Sequence, residues 1–135
     1  MPEPDSELPQ VLGAAFTAFD AIRQSARDHE DHSQELFPAF ISAATAAANG
    51  RDAVLTATVV PADAALPPGF SLPAPDASPH EAADAIAASA AILVDWLDKA
   101  IELAATPHDQ DACHDAAAAA RQIQQLMTAD DTHSR

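Results

Sequence analysis

The segments Ser78-Pro79-His80-Glu81 and Thr106-Pro107-His108-Asp109 repeat one order of residue types: hydroxyl, proline, histidine, carboxylate. An imidazole beside a carboxylate can bind a metal or move a proton. The same four positions also have a reading without chemistry. A hydroxyl at the N-cap, proline at the first helical position and a carboxylate at the third make a capping box. Acid in the first turn also suits the positive end of the helix dipole. Separation decides between the two. If the segments open successive antiparallel helices, His80 and His108 lie roughly 40 Å apart at 1.5 Å per residue. The pair is therefore read as two helix starts and not as two halves of one site.

A metal centre has better material elsewhere. His29 and His32 lie in the polar stretch "RDHEDHSQE", and His108, Asp111 and His114 lie at the start of the last helix. In a bundle whose first and last interhelical turns share an end, these residues would gather near Glu30, Asp31, Glu35 and Asp109. Imidazole mixed with carboxylate suits zinc, nickel, copper or iron. Bundle metal sites project Glu-x-x-His from facing helices. This chain has no Glu-x-x-His, and Asp111-x-x-His114 is its analogue. A transition metal held by His29, His32, His108, Asp111 and His114 is thus the alternative reading, set against polar residues collecting at hydrated turns. If the long connection crosses the length of the bundle, the set disperses. No other cofactor has a signature here.

Nucleophilic chemistry finds less support. Cys113, the sole cysteine, excludes an internal disulfide and falls on an apolar stripe, where it acts as a small hydrophobe. Its neighbour His114 points about 100° around the helix and cannot serve it as a base. Asp84, Asp95, Asp98 and Glu102 form a row along one helix face, which reads as a solvated surface. No glycine-rich phosphate loop and no Ser/His/Asp arrangement occurs, so nothing supports an enzyme.

Composition sets the class. Roughly one residue in four is alanine, with five Phe, one Trp and no Tyr. Alanine is the best helix former, while sheets favour β-branched and aromatic residues. The formal net charge is −15, and the few cations are scattered along the chain. Nucleic acid and anionic membrane surfaces require clustered cations, so both are excluded as partners. The longest apolar stretch, Ala85 to Val94, is interrupted by Ser89 and is too short to span a bilayer. The opening "MPEPDSELPQ" has neither the basic nor the apolar region of an export signal, and a cytoplasmic location is expected.

The elements that must position these residues follow from periodicity. After an acidic tail over 1–5, one helical domain is expected over 6–128, with a second tail over 129–135. Leu12, Ala15, Phe19, Ile22, Ala26 and His29 recur at three- and four-residue steps, and Leu36, Phe40, Ala43 and Ala47 resume the pattern. The polar interval between them predicts a hairpin, in preference to one long helix kinked at Pro38. Asp5 or Ser6 caps the first helix, and Asn49-Gly50 ends the second. A Pro-rich connection over 51–78 follows, pinned by Leu66, Phe70 and Leu72 in preference to an exposed polyproline ligand. The third helix turns Ala82, Ile86, Ser89, Leu93, Trp96, Ala100 and Leu103 inward. The fourth turns Cys113, Ala116, Ala120, Ile123 and Met127 inward.

The fold class is therefore all-α, a four-helix bundle of two helical hairpins joined by a long Pro-rich loop. Alanine faces bury little apolar area each, so such a core gains from covering more surface. The functional reading is a small acidic protein acting in protein–protein interaction or regulation, with a protein partner or a homodimer. The metal-binding bundle is the alternative, and an acidic decoy for a basic surface is the third.

Overall fold

The structure is a computed structural model and describes residues 8–133 apart from 60, 63, 64, 68 and 75, without the side chains of 32 and 129–133. Four helices account for the fold: α1 (Leu8–His29), α2 (Phe37–Leu55), α3 (Pro79–Leu103) and α4 (Pro107–His133), with a short 3-10 turn at Glu30–His32. Among the described residues there is no strand, and no helix is long and apolar enough to cross a membrane. Asp5, Ser6 and the tail over 1–5 lie outside the described residues. At the other end α4 continues to His133, past the expected limit at 128.

The hairpin forms where the polar interval placed it. Ser33 accepts a hydrogen bond from the backbone N–H of Leu36 at 3.2 Å, and Pro38 sits in the first turn of α2, where its missing N–H costs nothing. The far end of α2 differs from expectation. The helix does not stop at Gly50, which has no positive φ, but runs on to Leu55. The connection is accordingly 56–78 and not 51–78. Gly50 has a different purpose. A Cβ there would overlap the ring of Phe19 from α1, so its bare backbone is the socket for one of the two fully buried phenylalanines of the core.

The helices form a ring in which α1 packs on α2 and α3, and α4 packs on the same two. Named contacts fix the directions. The N-terminal turn of α1 meets the C-terminal part of α3, where Trp96 Nε1 donates to the Val11 carbonyl at 3.1 Å. The C-terminal end of α2 meets the first turn of α4, with His108 Nε2 2.8 Å from the Thr56 carbonyl. The C-terminus of α1 meets the chain just before α3, with His29 Nε2 3.2 Å from the Ala74 carbonyl. Each helix therefore runs antiparallel to both neighbours. Helices α2 and α3 run the same way on a diagonal, so the segment 56–78 must climb the full length of the bundle between them.

That climb is anchored at each stage. Near its start the Ala62 N–H donates to the Pro9 carbonyl at 2.9 Å, and a Cβ on Gly13 would overlap the Ala62 carbonyl oxygen. Glycine at 13 thus lets the crossover lie directly on α1. Farther on, the Phe70 N–H donates to the Pro67 carbonyl at 3.1 Å across a turn in which Gly69 holds φ at +82°. Ser89, buried on α3, donates to the Ser71 carbonyl at 2.6 Å. Phe70 and Leu72 pack on the core as expected, while Leu66 stays exposed.

The inward stripes hold except at Leu103 and, in part, at Trp96, which is only partly buried against the core. Leu12, Phe19, Ile22, Phe40, Ile86, Leu93, Cys113 and Ile123 are fully buried. Leu103, expected inside, is exposed at the last position of α3. Replacing Gly50 with Ala is expected to destabilise the fold by about 1–3 kcal/mol through overpacking against Phe19, outweighing the propensity gain of up to ~1 kcal/mol that Ala brings to a helix interior. Urea unfolding of the parent and the Gly50→Ala chain checks this. A more stable variant would show that the socket is not needed.

Candidate functional site

The two tetrapeptides share their first function and diverge in their second. At Ser78 the box closes on itself. Ser78 Oγ accepts from the Glu81 N–H at 3.1 Å, and Glu81 Oε1 accepts from the Ser78 N–H at 3.1 Å. These bonds hold the Glu81 carboxyl below its ordinary range, with the Ser78 backbone bond as the leading cause. At Thr106 only the first half forms, with the Asp109 N–H donating to Thr106 Oγ1 at 3.2 Å. The shorter aspartate turns its carboxylate to Thr58, just beyond the end of α2.

Asp109 then builds a clamp. Its Oδ1 accepts the Thr58 N–H at 2.7 Å, and the Thr58 hydroxyl lies 2.9 Å from both carboxylate oxygens. Beside it, His108 Nε2 meets the Thr56 carbonyl. The first turn of α4 thus grips the two residues through which α2 becomes the crossover. The Thr58 backbone bond is the main reason that the Asp109 carboxyl sits below the ordinary aspartate range; burial opposes it, and the Thr58 hydroxyl assists. Asp109 itself is buried, while its partner Thr58 lies exposed at the surface.

The five residues of the expected metal set do not come together. His29 is buried at the opposite end, its Nδ1 2.9 Å from the Ser25 carbonyl and its Nε2 facing Ala74. Both ring nitrogens meet carbonyl oxygens, and the ring leans on Phe40 at 6.3 Å. The backbone of His32 belongs to the same end, while its side chain lies outside the described residues. His108, Asp111 and His114 belong to the clamp end, and Asp111 and His114 are exposed. The physical reason is the crossover: because 56–78 traverses the bundle, the two interhelical turns occupy opposite ends. Among the described residues no group of three His, Cys, Asp or Glu side chains is placed to hold a metal ion.

Cys113 is buried one turn inside α4, and burial, followed by the nearby Asp109 charge, pushes its thiol up to about 11. A thiol so placed stays protonated and acts as core. The row Asp84, Asp95, Asp98 and Glu102 is exposed, with Arg121 3.3 Å from Asp98. Lys99 lies over the Trp96 ring at 5.1 Å, a cation–π contact.

One cluster escaped the sequence reading. Arg23 and Arg27 of α1 and Arg51 of α2 line a single groove of about 270 Å³ between these helices. Arg51 and Arg23 share Asp20, at 3.0 and 3.5 Å, and Arg27 lies 3.6 Å from Glu30. The signal was present as an i, i+4 arginine pair on the outer flank of α1. The third member lies far along the sequence and is brought in only by the hairpin.

No protein-family model matches this chain, and neither a curated protein nor a solved structure matches it.

The clamp carries a pH signature. The folded Asp109 carboxyl loses its proton at lower pH than the unfolded one, so between those two values the unfolded chain binds more protons. Its stabilisation is complete above the ordinary aspartate range near pH 4 and is lost as pH falls through the lower, folded value. Asp109→Asn is expected to be less stable than the parent at pH 7 and to lose that deficit progressively as the pH falls below the ordinary aspartate range. Denaturant unfolding across that range measures the difference. A constant offset at every pH would contradict the assignment.

Proposed function

We infer that this chain works by binding another protein and not by catalysis. One observation carries the reading: Phe37 and Ile41 stand 41% and 37% exposed, one turn apart on the outer flank of α2. In a chain with five Phe, leaving one of them open beside an isoleucine makes an apolar anchor pair at the i, i+4 spacing with which helices dock. The alanine-lined core adds a motive, since each Ala removes little area from water and further burial stabilises the whole.

The groups that could do chemistry support the same reading by their commitments. Asp109 is engaged by Thr58, His29 by two carbonyls, and Cys113 is a buried neutral thiol. A second copy of the chain is the partner that requires the least, because a two-fold contact needs only one self-complementary patch. The high negative charge then acts as a limit on self-association at low salt.

Sedimentation velocity across a wide concentration range tests this. The parent mass is expected to rise above the monomer value of 14.0 kDa with concentration. The double variant Phe37→Ser/Ile41→Ser is expected to remain monomeric with unchanged helical circular dichroism. A parent that stays monomeric throughout, or a double variant that associates equally well, would contradict the proposal.

A further inference from the structure

We propose that the groove between α1 and α2 is a binding site for a small organic carboxylate with an apolar body. Three of the chain's five arginines line it in a protein whose net charge is −15. Counting the carboxylates paired with them, Asp20 and Glu30, cations still outnumber anions there. The other described cations have single partners: Arg121 pairs with Asp98, and Lys99 covers Trp96. The groove thus carries a local excess of positive charge in an acidic surface, the sign that favours a small anion there.

The arginines are held ready. Asp20 bridges Arg51 and Arg23 through one nitrogen of each, fixing both guanidinium groups without using their full donor sets. Among the described residues Arg23 Nε and Glu30 Oε2 are buried without a hydrogen-bond partner, so the cluster is not internally saturated. A planar guanidinium matches a carboxylate in paired N–H···O bonds, which a point-like ammonium does not.

The remainder of the groove defines the body of the ligand. Ile41, Ala44 and Ala48 give it an apolar lining, and Asn49 adds an amide. Its volume of about 270 Å³ equals roughly nine waters at ≈ 30 Å³ each, room for an anion with a short hydrocarbon or ring. A bare inorganic ion would leave the apolar lining wet, so the apolar part contributes to selection.

The groove shares Ile41 with the proposed partner surface but not Phe37, so a Phe37 variant weakens partner binding and leaves the groove lining intact. The full chain carrying Phe37→Ser is therefore the protein for the experiment. Amide chemical shifts and thermal unfolding are followed at constant ionic strength while sodium hexanoate, sodium acetate or inorganic phosphate replaces chloride. Hexanoate is expected to shift amides in 23–27 and 41–51 saturably and to raise the melting temperature, as a ligand of the folded state must. Acetate and phosphate are expected to bind at least roughly tenfold more weakly. Arg23→Gln or Arg51→Gln is expected to cost about tenfold or more in affinity, the scale of one charge-assisted hydrogen bond. Ala48→Glu, which keeps every arginine but places a carboxylate in the groove, is expected to abolish binding, and Arg121→Gln to leave it unchanged. Hexanoate acting no differently from chloride would overturn the proposal. So would equal binding of acetate or phosphate, or binding that survives Ala48→Glu.

Discussion

The ring of Phe19 rests on the bare backbone of Gly50, and much of the molecule depends on that kind of contact. Alanine on the facing sides of all four helices allows close approach, and the few large side chains fill the spaces that remain. Because the packing is dense, a single added carbon at such a socket has nowhere to go. The same rule operates at Gly13, where the crossover lies against α1. Small residues here set distances between backbones, and those distances fix which side chains can meet.

The crossover is the second consequence of that geometry. Joining α2 to a diagonal, parallel α3 obliges residues 56–78 to run from one end of the bundle to the other. Prolines suit the segment, since an extended chain without its own hydrogen-bonded ladder loses little by lacking N–H donors. It is tied by the Asp109 carboxylate at its start, by Ser89 in its middle and by His29 near its end. The polar residues with most chemical promise are thereby used as fasteners. A capping box opens both of the final helices in outline, yet replacing glutamate with aspartate at the third position frees one carboxylate to hold another element.

The sequence made the helix count, the hairpin at 30–36 and most of the inward stripes legible, because a periodic apolar face is a local property. The twin helix starts were equally legible from four residues each. Three features were not. Gly50 looks like a terminus in one dimension, and only the approach of Phe19 from another helix turns it into an interior socket. The direction of α3 relative to α1 is a matter of how far a Pro-rich segment reaches, and reach is not written in residue type. With that direction undecided, His29 and His108 could be placed together or apart. The arginine groove was hidden for a related reason: Arg51 joins Arg23 and Arg27 only after the hairpin closes, so cations that seem scattered along the chain converge on one surface.

The placement of the two interhelical turns at opposite ends underlies the dispersal of the histidines, the role of Asp109 and the path of the crossover. The direct measurement is the distance between spin labels on Asp31→Cys and Asp111→Cys, both exposed positions, in a Cys113→Ala background. With α1 roughly 33 Å long at 1.5 Å per residue, the labels are expected about 25–35 Å apart. A dominant distance under about 15 Å, as turns sharing one end of the bundle would give at neighbouring-helix spacings of 8–10 Å, would contradict this architecture.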